Sequence, residues 1–485
     1  MQNTFRFHTF VNYKMHKIKL LSYTQSVLLI AILAALQFFW RLDKPVIREW
    51  DEGLYGVNAL EMLEGSNPIL VTFNGEPDFY NSKPPLGLWL MAGSIKVFGF
   101  NTFGIRFASA FLSFLLVLLM FQFIYKTFNK LDWALYAALT LLGSIGFTGW
   151  HEARSGDFDA MVAAFIFCYS LILLKAVHDK NQVYLFCGAL VLSIACLCKG
   201  VYGLVAVPGI LFAVILEKKT IWVLKQYSFY LGLLFFLTTF LGYYAWREAI
   251  NPGYLSAVLQ NEVGERLLLE TNIHKAPIPF YYHTFKLLVY RFQPFVLLLP
   301  FAVYFIFKQP KSKETFYLRG ALYVAFGIWC IISFSVTKLV WYDGSLYPFF
   351  ALITGWFLSE GLPVFAKWRS AIFITLLLIY AVVFGLNQTE KDSFTFPHFL
   401  NEVRNEKQIM APIKVYAKSF EIPVWYYAKQ EKINGRILLF TYEMNDLKSG
   451  QMICTISAEQ ELELKAKYIL KEIYKKGSDA LFVID

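Results

Sequence analysis

The 485-residue chain is 57% hydrophobic and only 16% charged, with 48 Phe, 29 Tyr and 12 Trp. A soluble surface needs about a quarter of its residues charged, so this composition excludes disordered, collagen-like and ordinary cytosolic proteins and points to a polytopic membrane protein. The formal charge of +10 lies in short Lys/Arg clusters between apolar spans, which is a topology signal and not a nucleic-acid surface.

Apolar spans run over about 23–40, 103–125, 132–150, 159–176, 183–198, 200–216, 227–246, 286–307, 318–335, 345–360 and 369–386. These eleven stretches are expected to be helices, because lipid leaves no partner for open backbone groups and nothing alternates like a barrel strand. The first span follows Lys14, Lys17 and Lys19 and has no small-residue cleavage site, so it is read as an uncleaved anchor with a cytoplasmic N-terminus. Lys126 and Lys130, Lys175 and Lys180, Lys218, Lys219 and Lys225, Lys308 to Arg319, and Lys367 with Arg369 then all fall in inside loops. Segments 41–102, 151–158, 247–285 and 336–344 fall outside. Five cysteines lie in apolar stretches and Cys454 alone in polar sequence, which implies no disulfide framework. With the basic inner loops, this fits a bacterial inner membrane.

The outer segments carry the unusual polar residues. The first begins Arg48-Glu49-Trp50-Asp51-Glu52-Gly53 at the membrane surface. Its acidic pair reads either as loop or N-cap carboxylates or, for Asp51, as a general base for a hydroxyl nucleophile. Tyr80-Asn81-Ser82-Lys83-Pro84-Pro85 follows, its prolines fixing the entry into an amphipathic stretch, Leu86 to Phe100, expected to lie flat on the interface. Lys83 at headgroup level either snorkels to lipid or grips a lipid-linked phosphate.

Trp150-His151-Glu152-Ala153-Arg154-Ser155-Gly156-Asp157-Phe158-Asp159 crowds ionisable groups between two spans. A loop that only turned the chain would not need them. Arg154 fits a bidentate phosphate clamp, Asp157 and Asp159 fit hydroxyl orientation or a divalent cation, and His151 reads as a structural hydrogen-bonder. Lys199 and Lys338, in Thr337-Lys338-Leu339-Val340-Trp341-Tyr342, are helix-end snorkellers or parts of an anion trap. The third loop, with Glu262, Glu265, Arg266, His274 and Lys275 before Phe280, reads as one cavity wall.

The last 99 residues, 387–485, carry 14 acidic and 14 basic residues, an ordinary soluble density. Strands are expected at Lys414–Tyr416, Arg436–Phe440 and Leu481–Ile484 and a helix from Ala458 to Lys475, hence a small outer α/β domain following a transmembrane domain of residues 1–386. No Walker loop or Gly-x-Gly-x-x-Gly fingerprint occurs.

The ordered outer motifs, from Trp50-Asp51-Glu52-Gly53 through Lys83-Pro84-Pro85, Ala153-Arg154-Ser155-Gly156-Asp157-Phe158-Asp159 and Cys198-Lys199-Gly200 to Ser335–Tyr342, resemble the lipid-phosphosugar-dependent glycosyltransferases of the GT-C type, the aminoarabinose transferase (ArnT) and protein O-mannosyltransferase group. The resemblance covers residues 20 to 360. It implies a hexosyl- or pentosyltransferase that takes sugar from a polyprenyl phosphate and passes it to a lipid, protein or glycan hydroxyl. Asp51, Glu52 and Asp157 are the catalytic candidates it implies; Tyr80, Lys83, Arg154, Asp159, Lys199, Lys338 and Tyr342 are the candidates for binding substrate. The family's Leu-Pro pair after Trp341-Tyr342 is replaced here by Asp343-Gly344-Ser345, which leaves the next helix start open. A single displacement by Asp51-activated hydroxyl inverts the anomeric centre. Metal dependence stays open. The alternative is a secondary transporter or flippase, which predicts repeated halves and midspan charges; neither is found.

Overall fold

The computed structural model describes residues 21–485 except 66, 150, 269–280, 287–289, 390–393 and 419–420. Readings at Lys14, Lys17, Lys19, Trp150, His274, Lys275 and Phe280 therefore lie outside the described residues. In chain order the first helices are α1 (Tyr23–Phe39), α2 (Trp50–Glu64), α3 (Leu86–Phe98), α4 (Thr102–Phe128), α5 (Leu131–Leu142), α6 (Ile145–Thr148), α7 (Asp159–Asp179), α8 (Gln182–Lys199), α9 (Val207–Leu216), α10 (Thr220–Leu224) and α11 (Tyr227–Ile250). A two-stranded hairpin, β1 (Thr72–Phe73) and β2 (Glu76–Pro77), lies between α2 and α3. Then come α12 (Tyr254–Val258), α13 (Tyr282–Lys286), α14 (Leu299–Lys308), α15 (Lys313–Phe334), α16 (Tyr347–Trp356) and α17 (Arg369–Gln388).

Local chemistry sets the ends. Ser22 closes a capping box with Gln25 at the start of α1. Asn101 accepts from Gly104 N at the start of α4, and Asn129 ends that helix with a left-handed φ of 54°. The Pro84-Pro85 pair leads directly into α3, as its fixed φ allows only at a helix start. At the centre of the bundle every residue of α5 from Trp133 to Leu142 is buried, and the Trp133 indole donates to Leu352 O of α16 at 2.9 Å.

Among the described residues six helices are long and apolar enough to cross a membrane, and five shorter apolar helices accompany them. The expected span 132–150 stops at Gly143 and resumes as the single turn α6. The span expected over 345–360 is α16 followed by a π-turn at Phe357–Gly361.

The C-terminal region contains α18 (Phe396–Asn401), β3 (Ile413–Tyr416), α19 (Ile422–Ile433), β4 (Leu438–Thr441), β5 (Met452–Thr455), α20 (Ala458–Lys467), β6 (Leu470–Lys476) and β7 (Asp479–Ile484). The strands form one mixed sheet in the order β4-β3-β5-β7-β6, parallel at β3–β4 and β3–β5 and antiparallel on the β7 side. The helix expected from Ala458 to Lys475 ends at Lys467. Beyond it Leu470–Lys476 pairs with β7, and that pairing outweighs the helix propensity of its lysines. The sheet sits against α2 through α19: Lys429 pairs with Glu61 at 2.6 Å, and Tyr427 OH donates to Ile47 O at 2.9 Å.

Candidate active site

Helix α2 begins at Trp50, so Asp51 and Glu52 occupy its first turn, where the helix dipole favours negative charge. The two acids then diverge. Asp51 is half-buried. Glu52 is 1% exposed, and both of its oxygens are used: Arg106 of α4 grips it bidentately at 2.6 and 2.8 Å, and Gly156 N donates to it at 2.8 Å. Glu52, expected beside Asp51 as a catalytic acid, is thus a structural anchor tying α2 to α4 and to the 151–158 loop.

That loop is knotted from within. His151 Nδ1 lies 2.7 Å from Asp157, and its ring stacks on Trp341 at 3.8 Å. Its backbone is held at φ 61°, in the left-handed region. Burial alone would lower the His151 pKa, but the Asp157 charge and hydrogen bond, with Asp159 and Asp51 nearby, raise it to about 9. Burial would raise Asp157, and the His151 charge and hydrogen bond more than reverse that, holding its carboxyl below the usual range. Ser155 Oγ donates a further 2.7 Å bond to Asp157. Asp159, at the start of α7, pairs with Lys199 at the end of α8. The Lys199 ammonium lies 5.3 Å from the Tyr202 ring centre, and Tyr202 OH donates to Tyr342 O at 2.8 Å. Gly200 follows Lys199 with φ 62° and ψ −140°, a backbone conformation that L side chains rarely adopt.

The inserted Asp343-Gly344-Ser345 belongs to the same cluster. Arg291 reaches Asp343 at 2.7 Å and Glu152 at 3.0 Å, all three buried. One guanidinium neutralises one of two carboxylates, and burial pushes both the Glu152 and Asp343 carboxyls above the usual range. Gly344 packs so closely on Glu152 that a Cβ would lie 2.5 Å from its carboxylate oxygen. A 3-10 turn over Val340–Leu346 carries the insertion, and α16 starts behind it at Tyr347.

Lys83 is 8% exposed, with its ammonium 5.1 Å from the Tyr55 ring centre; Tyr55 in turn stacks on Phe158 at 4.4 Å. Asp78 shapes the loop before it by accepting from Tyr80 N at 2.8 Å and Asn81 N at 3.0 Å. Tyr80 itself is 62% exposed and meets Trp50 edge-on at 6.2 Å. Lys338 is buried and donates to Ser335 O at 2.7 Å; burial lowers its pKa. Arg154 departs from expectation: it donates to Gln37 O, Trp40 O and Arg41 O at 2.8, 3.1 and 3.2 Å. These bonds make it a clamp on the chain leaving α1, not a phosphate fork. Among the described residues no three His, Cys, Asp or Glu side chains group around one point as metal ligands would.

A cavity of about 400 Å³ opens from this cluster between α8, α9 and α15. Lys199, Tyr202, Glu262, Ser335 and Tyr342 stand among its lining residues, and Leu204, Val207, Pro208, Ile331 and Ile332 supply most of its wall. The sequence reading passed over Arg106 and Arg291, which lie inside apolar spans, where an ionisable residue is itself the signal.

The His151–Asp157 pair predicts a pH effect. A histidine pKa raised from 6.5 to about 9 contributes stability that is complete below pH 6.5 and lost as pH rises through 9. The unfolding temperature of the wild type is expected to fall through that window, and His151→Gln to lack the drop. Parallel curves for the two proteins would dissolve the pair.

The structure is a multispanning helical bundle with a charged cluster at the mouth of an apolar cavity. Residues 82–246 match the family described as dolichyl-phosphate-mannose-protein mannosyltransferase. An undecaprenyl phosphate-alpha-4-amino-4-deoxy-L-arabinose arabinosyl transferase of Shewanella sediminis is 26% identical over 393 residues, 76% of this chain and 68% of the relative. An uncharacterized protein of Aquifex aeolicus is 26% identical over 358 residues, 73% and 68% of the two chains. The crystal structure of ArnT from Cupriavidus metallidurans bound to undecaprenyl phosphate superposes with a TM-score of 0.75 at 14% identity, covering 95% of this chain and 98% of that one. The chain shares the ArnT fold along nearly its whole length, and over residues 82–246 it is similar to that mannosyltransferase family.

Proposed function

We propose that the chain transfers a sugar from a polyprenyl-phosphate donor to a hydroxyl acceptor at the extracytoplasmic face, with inversion. The observation that carries this reading is the apolar cavity ending on Lys199, Tyr202 and Tyr342 beside the Asp157–Asp159 cluster. An isoprenoid tail suits the apolar wall, and its phosphate suits the Lys199 ammonium, which it would share with Asp159. The acceptor oxygen bonds to the anomeric carbon while the bond from that carbon to the phosphate oxygen breaks. The bonding pair leaves on the phosphate, and Asp51 takes the acceptor proton. Lys83 and Lys199 stabilise the negative charge that develops on the departing phosphate. His151, Asp157 and Trp341 hold the loop in shape beneath this step.

The test is transfer in proteoliposomes supplied with undecaprenyl-phosphate-linked pentoses and hexoses. Incorporation from none of them would sink the reading. Within the same system Lys83→Ala is expected to weaken undecaprenyl phosphate binding roughly 10- to 100-fold, the value of a charge-assisted contact of about 1.5–3 kcal/mol. Unchanged affinity would mean that Lys83 only packs on Tyr55.

A further inference from the structure

The two edges of the C-terminal sheet are finished differently. At one edge β6 carries Lys471, Glu472, Lys475 and Lys476 and a bulge between Glu472 and Tyr474. Charge and irregularity of this kind keep a strand edge from pairing with another chain. At the other edge β4 reads Leu438-Leu439-Phe440-Thr441, with no charge, no proline and an unbroken register to β3. Ile413 N donates to Ile437 O and Ala417 N to Thr441 O. Bonding residues alternate along a parallel pair, so Leu438 and Phe440 turn their N–H and C=O groups to the open edge. Among the described residues no second strand pairs with β4 there.

A groove of about 700 Å³ runs along this bare edge, between β4, α19 and the tip of the β1–β2 hairpin at Asn74. Residues two apart on a strand share a face. Phe440 stacks on Trp425 of α19 at 4.0 Å, so Phe440 and its even-numbered neighbours face the groove. Lys429, Lys432 and Arg436 stand there, with no carboxylate among the lining residues. Glu61 neutralises Lys429 and Glu431 is shared by Arg404 and Arg436, so the wall keeps a positive excess, with Lys432 exposed to solvent. The opposite face of β4 presents Ile437 and Leu439, 50% and 47% exposed. A strand laid against β4 therefore meets cations on one side and aliphatic side chains on the other. The segment that matches both alternates acidic and apolar residues. A second copy of the chain matches poorly, because antiparallel pairing of β4 with β4 about a twofold axis sets two cationic walls side by side.

We propose that the β4 edge docks an extended acidic segment of a partner protein, which adds a strand to the sheet. Main-chain hydrogen bonds to Leu438 and Phe440 supply the affinity, and acidic side chains set on Lys432 and Arg436 supply the selectivity. The inference goes beyond the transferase reading and stands apart from it, since none of these residues lines the cavity beside Lys199.

The probe, for the full chain in phosphatidylcholine nanodiscs, is a fluorescent peptide of about ten residues, the length of a long strand, that alternates valine and glutamate. It is expected to bind, and its counterpart with lysine for glutamate to bind at least tenfold more weakly. Lys432→Glu and Leu439→Glu, both at exposed positions, are each expected to weaken the acidic peptide at least tenfold with the unfolding temperature unchanged. N-methylation of every second residue blocks one edge of the peptide. Of the two such forms, the one blocked on the edge facing β4 is expected to lose binding. No binding of the acidic peptide, wild-type affinity in both variants, or binding that survives in both N-methylated forms overturns the docking edge. Self-association of the chain that Leu439→Glu abolishes, without peptide binding, assigns the edge to a second copy and overturns the acidic partner.

Discussion

Asp51→Asn is expected to lower sugar transfer by about 10²- to 10⁴-fold, the range for losing a positioned general base. The substitution keeps size and hydrogen-bonding shape and removes the proton acceptor. Asp51 is half-buried in the first turn of α2, and its neighbour Glu52 is fully engaged by Arg106 and Gly156, so Glu52 is not free to take over. Undecaprenyl phosphate binding should persist, because the proposed phosphate contacts come from Lys83 and Lys199. The reading is checked by the ratio of the two measurements. A variant that transfers at near-normal rate would remove Asp51 from the chemistry, whereas one that loses donor binding and transfer together would make it a structural acid like Glu52.

Much of this site was legible because charge at a membrane boundary is costly and stands out against an apolar background. Asp159, Lys199 and Tyr342 are far apart in sequence, and the fold joins them through Tyr202 into one contact series. Partners were less legible than residue types. Asp51 and Glu52 look equivalent in sequence, and only the burial of Arg106 beneath one of them separates their roles. Arg154 stands among acids in sequence yet holds main-chain carbonyls, whereas Arg291, inside an apolar span, holds Glu152 and Asp343. In the C-terminal region, Leu470, Ile473 and Tyr474 keep the helical i, i+3, i+4 spacing, and the available edge of β7 makes the segment a strand instead, with a bulge between Glu472 and Tyr474.

Arg106→Ala is expected to destabilise the protein by about 3–5 kcal/mol, as for any buried ion pair stripped of one partner. The guanidinium is 4% exposed and makes four hydrogen bonds, two to Glu52 and one each to Leu42 O and Pro45 O at 3.2 and 2.8 Å. Its loss leaves a carboxylate in a pocket with only Gly156 N for company. Glu52 binds both α4 and the 151–158 loop, so the damage should spread to the segments that hold Asp51 and Asp157, and transfer by the folded fraction should fall as well. The paired change Arg106→Met with Glu52→Leu separates the causes. Removing both charges should recover most of the unfolding temperature, because the desolvation cost disappears with the pair. Activity should recover less, because Gly156 N still lacks its acceptor and the loop its tether. Full recovery of both quantities would show that the pair only fills space. An unfolding temperature unmoved by Arg106→Ala would deny that Glu52 is buried against it at all.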